Sequence, residues 1–549
     1  MLPETRRWDR ELSQDEQLSL AMARIVLGPR MNIQAPPNLS PGLLADLIAA
    51  GVNDWGGVSP VTPDHVNPEA PWPAIDRLRA DTAAAGKCLT ERLAIYPGYV
   101  QDRERWLDRA LHTAVLRAAD AGGFARGDEW APGLRGKHSL AQYPAGAPAI
   151  VSSALDHAIR RASAGHRLCE EQIVTLFHAR GAEFDAVCAA ADALRASVNG
   201  DTITYVVNRN INYTNICNYG CRFCAFSKGK LGDTLRGPAY DLDREEIARR
   251  VREAWDRGAT EVCMQGGIHP RYTGATYLSI LDAAKRAESS IHVHAFSPLE
   301  VQHGAQSLGL TIGDYLDRLR GAGLGSLPGT AAEILDDDVR AVLCPDKLST
   351  KQWLAIVEAT HRRGLRTTAT IMFGHIERPE HWARHLLHIH DLQERTGGFT
   401  EFVPLPFVHM EAPLYLKGRA RKGPTFREAV LMHAVSRLVL HPLIPNIQVS
   451  WVKLGPDGAA ACLKAGANDL GGTLMNESIS RAAGTEHGQE FSPERMDSLI
   501  GSLGRTPRQR TTLYGDAPAE RQEASYAAAE LLPLAFGGQS SRPLAVPAG

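Results

Sequence analysis

From residue 200 onward, short runs of β-branched and apolar residues alternate with longer stretches whose apolar positions recur every three or four residues. The short runs fall at 203–207, 261–264, 291–296, 323–327, 366–373, 401–405, 447–451 and 467–470. Between them, 243–257, 349–363 and 379–395 read as amphipathic helices, the first opened by Asp243 and Glu246 in capping-box spacing. Strict alternation of strand and helix predicts an α/β fold with a parallel sheet and helices outside it. Eight strand candidates, the fourth the weakest, predict a closed (β/α)8 TIM-like barrel, whose chemistry belongs at the C-terminal ends of its strands.

A second pattern spans the chain. Gly51-Val52-Asn53-Asp54-Trp55-Gly56-Gly57 recurs as Gly466-Ala467-Asn468-Asp469-Leu470-Gly471-Gly472. Asn32-Ile33-Gln34 recurs as Asn446-Ile447-Gln448, and Gly86, Arg92 and Tyr96 recur as Gly504, Arg510 and Tyr514. Ser13 with Glu16 and Thr425 with Glu428 share capping-box spacing. The order is preserved throughout, so residues 1–100 read as the C-terminal remnant of a first module whose complete copy fills 161–535. On this reading the chain is a tandem protein that has lost its front, and its first copy keeps only two strands, at 32–35 and 52–55. A small appended domain is the other reading. Residues 101–160 read as a helical segment, with Leu107, Leu111, Val115 and Leu116 on one side, and a Gly/Pro/Ala-rich linker at 127–148. Residues 536–549 read as a disordered tail.

The composition adds exclusions. The 549 residues are 44% hydrophobic with a net charge of −2 and no long basic run, so no nucleic-acid footprint is present. The charged start lacks the apolar core of a signal peptide, and no apolar run reaches the roughly 18 residues of a membrane span. The expected location is the cytoplasm. Of nine cysteines, Cys88, Cys169, Cys188, Cys263, Cys344 and Cys462 stand alone and read as small buried hydrophobes.

The other three cysteines lie together. Cys217, Cys221 and Cys224 form a C-x3-C-x2-C pattern directly after the first strand candidate. Three thiolates on one loop can hold three irons of a 4Fe–4S cluster and leave the fourth open. Zinc generally takes four ligands in paired sets, which this segment lacks. The pattern is identified as that of the radical S-adenosylmethionine (SAM) enzymes. The resemblance implies that SAM chelates the open iron and is cleaved to a 5′-deoxyadenosyl radical.

Other candidates follow strand ends. Gln265, Gly266 and Gly267 are candidates for holding the SAM amino group, since glycines allow close backbone approach. Phe223 is a candidate for packing near the adenine, Ser297 for a SAM contact, and Glu333 for the ribose or amine, with helix capping as the alternative for Glu333. His269, His292, His294, His303 and His375 also lie near strand ends, and His292 and His294 share a face. Asn468 and Asp469 read either as polar groups at the barrel mouth or as a structural turn.

The segments at 217–230 (CNYGCRFCAFSKGK), 264–270 (MQGGIHP) and 294–300 (HAFSPLE) resemble the radical SAM enzymes of deazaflavin and futalosine–menaquinone biosynthesis. The segments LPGTAAEIL at 327–335 and GANDLGGTLMNESISRAAG at 466–484 are similar to the 4-hydroxyphenyl transferase half of the FO synthase family. GVNDWGGVSPVTPDHVNPEAPWP at 51–73 resembles the end of that family's other half, which closes the ring of 7,8-didemethyl-8-hydroxy-5-deazariboflavin (FO), the coenzyme F(420) precursor. The resemblance implies transfer of the 4-hydroxybenzyl group of L-tyrosine to 5-amino-6-(D-ribitylamino)uracil, with an electron donor such as ferredoxin or flavodoxin. It assigns the later cyclisation to a first module, separate or missing, whose cluster loop has no counterpart here. Two other readings stay open: an aminofutalosine synthase or dehypoxanthine futalosine cyclase, and a non-catalytic iron–sulfur electron carrier.

Overall fold

The computed structural model describes residues 14–136, 151–228 and 238–534. Ser13, residues 137–148 of the candidate linker, residues 229–230 of the cysteine segment and the 536–549 tail lie outside the described residues.

Nine strands are present among the described residues: β1 (Thr202–Val206), β2 (Asn208–Asn212), β3 (Glu261–Gln265), β4 (His292–Ala295), β5 (Ser326–Leu327), β6 (Arg366–Phe373), β7 (Phe399–Pro406), β8 (Asp469–Gly472) and β9 (Thr506–Arg510). β2 to β7 form one parallel sheet in chain order, and β8, β1 and β9 form a second. β1 runs into β2 with only Val207 between them. On the far side, Ile447 bridges to Phe402 of β7, and Gln448 bridges to Asp469 of β8. The wall therefore closes through eight staves, with the β1–β2 strand counted as one and β9 lying outside.

The strand pattern needs three corrections. The seventh candidate, 447–451, contributes only two isolated bridges, because the chain turns helical at once: Lys453 and Leu454 both donate to the Ser450 carbonyl. β2 carries Asn208, Arg209, Asn210 and Asn212, so it has no apolar alternation to find. Several of its polar groups pair inside the fold, Asn208 with Glu261 and Arg209 with Glu253. β9 reads TPRQR and is held by parallel pairing along the whole of β1. The helices match closely: Asp243 and Ser349 cap Arg244–Asp256 and Thr350–Arg362, each accepting a backbone N–H.

One apolar core runs continuously through the barrel and its helices. It includes Leu155, Ala158 and Ala162, so the helix Ser153–Ser163 belongs to the barrel and crosses the expected boundary at 160. The described part of the expected linker is also built in. Trp130 is 3% exposed and meets Phe426 edge-on at 5.4 Å, while Asp128 accepts the Phe426 N–H at 2.9 Å. A large ring and a helix-capping carboxylate outweigh the Gly/Pro bias of the segment.

The N-terminal segment has a small core of its own, formed by Leu44, Leu47, Val52, Trp55 and Leu78. Gln34 and Asp54 make a parallel bridge, as Gln448 and Asp469 do. Ile33 donates to Asn53 Oδ1 at 2.8 Å, and Ile447 donates to Asn468 Oδ1 at 2.9 Å. Arg24 bonds the Gly51 carbonyl and Asn53, and Arg437 bonds the Gly466 carbonyl and Asn468. The sequence repeat is thus a structural repeat down to single hydrogen bonds. The two copies differ in cover. The helix Phe426–Leu440 is buried along its whole length, while Gln14–Leu27 leaves Ile25 and Val26 about three-quarters exposed.

Candidate active site

The cysteine loop leaves β2 and is pinned at several points. Gly267 donates to the Thr214 carbonyl at 2.8 Å, Asn218 to that of Ile268 at 2.9 Å, and Arg222 to that of Leu343 at 2.9 Å. Cys217 Sγ accepts the Ile268 N–H at 3.3 Å. All three thiols are half-buried. Zinc generally takes four ligands, and the loop offers three thiols. Three thiol donors on one anchored loop fit three irons of a 4Fe–4S cluster. A fourth thiol, Cys344, is brought near the loop by the fold, but it is 2% exposed and does not line the cavity described next.

A cavity of about 350 Å³ opens inside the barrel. At its mouth stand Phe223, Cys224, Gln265, Glu333 and Met372. Lys347 Nζ lies 2.7 Å from Glu333 and 5.3 Å from the centre of the Phe223 ring. Glu333 has φ +46° and Ala331 has φ +64°, both in the left-handed region that non-glycine residues seldom adopt. Strain of this kind concentrates at functional sites.

Deeper in the barrel the lining turns polar, with Asn208, Glu261, His294, Glu401, Gln448 and Arg510. Glu401 Oε2 accepts from Gln448 Nε2 at 3.0 Å, Arg510 Nη2 at 3.1 Å and Tyr514 Oη at 2.5 Å. Burial pushes the Glu401 carboxyl up to about 7, with Arg510 acting in the opposite direction. Burial holds His294 down at about 4, so its ring is neutral. Its Nδ1 and Nε2 of His292 share Ser326 Oγ, each at 2.7 Å.

Of the sequence candidates, Cys224, Phe223, Gln265 and Glu333 meet around the cavity mouth. Gly266 and Gly267 do not line the cavity. A Cβ on Gly266 would sit 2.3 Å from the Tyr213 ring, and one on Gly267 would sit 2.3 Å from the Ile216 carbonyl oxygen. Both glycines let the cysteine loop pack on β3. Ser297 caps the helix Pro298–Ser307 and bonds Glu300 at 2.6 Å, away from the cavity lining. Asn468 and Asp469 are buried structural groups, bonded to Ile447, Arg437, Thr204 and Arg510. His269 stacks on Tyr272, His303 bonds the Tyr272 carbonyl, and His375 pairs with Glu377. Sequence reading missed Glu261, Glu401 and Gln448. Their one signal was a charged or amide group inside an otherwise apolar strand run.

Comparison with known proteins places these features in a wider group. Residues 211–389 match the family model of the radical SAM superfamily, and 396–522 match the CofH/MqnC C-terminal region. The FO synthase of Streptomyces avermitilis is 46% identical over 94% of this chain, and the chain spans 65% of that relative's length. The 5-amino-6-(D-ribitylamino)uracil–L-tyrosine 4-hydroxyphenyl transferase of Methanocaldococcus jannaschii is 52% identical over 59% of this chain and 90% of its own length. A methylornithine synthase crystal structure superposes with a TM-score of 0.51 at 17% identity, covering 64% of this chain and 97% of that one. No helix among the described residues is long and apolar enough to cross a membrane.

Proposed function

From the premise that this chain belongs to the radical SAM superfamily, in the group that contains the tyrosine 4-hydroxyphenyl transferase, we propose that it catalyses that transfer in FO biosynthesis. Its cofactors are a 4Fe–4S cluster and SAM. When bound, they supply a carbon-centred radical that abstracts hydrogen. The substrates of the proposed reaction are L-tyrosine and 5-amino-6-(D-ribitylamino)uracil, and the electron comes from a small carrier such as ferredoxin or flavodoxin. The cytoplasm is the proposed location.

In this reading Cys217, Cys221 and Cys224 hold the cluster, and the backbone bonds from Gly267, Asn218 and Arg222 fix their loop. Phe223, Gln265 and Glu333 bound the SAM position at the cavity mouth, with Lys347 orienting Glu333. Gly266, Gly267 and Ser297 act on the site indirectly, by close packing and helix capping. The barrel wall keeps water from the reacting atoms, which a radical route requires.

The observation that carries this reading is the 52% identity to the transferase across 90% of its length. The chain has one C-x3-C-x2-C loop, and so one site of this kind. We therefore assign it the transfer, with ring closure to FO belonging to another module. The test is an anaerobic assay with SAM, tyrosine and the diaminouracil, products being identified by mass. The expected products are 5′-deoxyadenosine and the tyrosine-derived adduct. SAM cleavage with a futalosine-type substrate but not with tyrosine would favour the menaquinone reading. A loaded cluster that never cleaves SAM would favour the electron carrier.

A further inference from the structure

We propose that the cavity floor around Glu401 is a polyol subsite: it takes the ribityl chain of the pyrimidine substrate and rejects the phosphate ester of that chain. The assignment rests on the transferase reading above and adds to it where, and in what form, the second substrate lies.

The first argument is position. The barrel register puts Asn208 beside Glu261 at the N-terminal ends of β2 and β3, and Asn212 beside Gln265 at their C-terminal ends. Four residues of strand separate the two levels by roughly 13 Å. The cysteine loop stands at the C-terminal level, so the reacting ring belongs there. Whatever fills the floor is the part of the ligand farthest from the reaction, and in a ribitylamino-pyrimidine that part is the chain of hydroxyls.

The second argument is unengaged acceptors. Three bonds to Glu401 land on Oε2, and Oε1 is bonded to nothing among the described residues, so it accepts from a ligand hydroxyl when ionised and donates to one when protonated. Asn210 Oδ1 is buried, lines the same cavity and has no partner among the described residues. Glu261 accepts from Asn208 Nδ2 at 2.8 Å and also lines the floor. A buried acceptor left unmatched is costly, so such a surface selects a ligand that brings donors. Hydroxyl groups supply them without charge.

The third argument is the balance of charge. Arg510 is committed: Nε and Nη2 bond Asp469, Nη2 also bonds Glu401, and Nη1 bonds the Thr511 carbonyl. His294 is neutral. The other cation among the described lining residues, Lys453, donates to Ser480 Oγ, beyond Gln448 toward the mouth. Among the described residues, a phosphate at the end of the ribityl chain would thus face Glu401 and Glu261 with no free cation beside it. Arg510, Gln448 and Tyr514 are positioning residues here, acting by fixing Glu401.

The test compares three probes on the anaerobically loaded enzyme: the diaminouracil, its ribityl phosphate ester, and an analogue with an unhydroxylated alkyl chain. The wild-type enzyme should show a KM about tenfold or more higher for both altered probes. Glu401→Gln should raise the KM of the parent pyrimidine about tenfold, raise that of tyrosine less than about twofold, and narrow the discrimination against the ester. Equal KM values for parent and ester in the wild type, or a Glu401→Gln effect on tyrosine instead, would overturn the subsite. If the variant does not fold, the wild-type comparison decides alone. A wild-type enzyme that neither binds nor consumes the pyrimidine would overturn the transferase reading itself, and the subsite with it.

Discussion

Arg510 grips Asp469 at two points, Nε 2.5 Å from Oδ2 and Nη2 2.9 Å from Oδ1, and Arg92 grips Asp54 in the same way at 2.7 and 3.2 Å. In each copy a tyrosine ring lies under the guanidinium, Tyr514 at 4.0 Å and Tyr96 at 4.6 Å. The clamp forms with and without a surrounding barrel, so it is a property of the local chain. Its surroundings differ: the barrel copy is closed from solvent, while Arg92 is 21% exposed.

The contrast sets the energetics of losing each arginine. Arg510→Met leaves Asp469 buried without its cation, and a loss of about 3–5 kcal/mol is expected. Arg92→Met, where Arg92 is 21% exposed but Asp54 only 8%, should lose less, about 1–3 kcal/mol. Urea unfolding, followed by tryptophan fluorescence for the two variants, measures the difference. Equal losses would mean that burial does not control the clamp.

Iron retention separates the three loop thiols from their buried neighbour. Cys221→Ala should lose most of its iron and all SAM cleavage after anaerobic reconstitution. Cys344→Ala should keep both, because that thiol is fully buried and lies outside the half-buried C-x3-C-x2-C loop. Iron analysis and 5′-deoxyadenosine yield read this directly. Loss of the cluster in Cys344→Ala would point to a fourth thiolate ligand and an electron-carrier role.

Gly267→Ala tests the packing of the loop. The added Cβ would fall 2.3 Å from the Ile216 carbonyl oxygen and 2.9 Å from Cys217 Cβ, so the loop itself must move. The expected result is at least about a tenfold fall in activity, as a displacement near 1 Å can cost two orders of magnitude. Global melting should change little. Full activity would show that the loop tolerates a shifted Cys217.

Glu401 gives the fold a pH signature. Its proton is held to about pH 7 in the folded chain, against an ordinary value of 4.5. Between these two values the native state binds more protons than the unfolded state, so stability falls as pH rises from 4.5 to 7 and is level above. The full effect of this one group is on the order of 3 kcal/mol. Glu401→Gln should remove that part of the slope when unfolding free energies near pH 5 and pH 7.5 are compared. An unchanged slope would mean that Arg510 keeps the carboxylate ionised throughout.

What the sequence determined on its own was local chemistry. The spacing of Cys217, Cys221 and Cys224 shows as a motif because the three ligands lie on one loop. Asp243 and Ser349 show as caps because a cap and the N–H groups it serves are three residues apart. The repeat showed because order along the chain is visible without folding. Only the tertiary structure decided what the barrel interior is made of. A lone glutamate at 261 or 401 reads like any solvent-facing strand residue until the sheet closes and turns that face inward. The polar strand β2, the two-bridge stave at Ile447 and Gln448, and β9 exist through their neighbours' backbone groups, which no local pattern encodes. Trp130 likewise joins the core because Phe426, nearly three hundred residues on, supplies the ring it packs against. Burial, and with it the charge state of Glu401 and His294, is a property of closure, since desolvation depends on every element that surrounds a group.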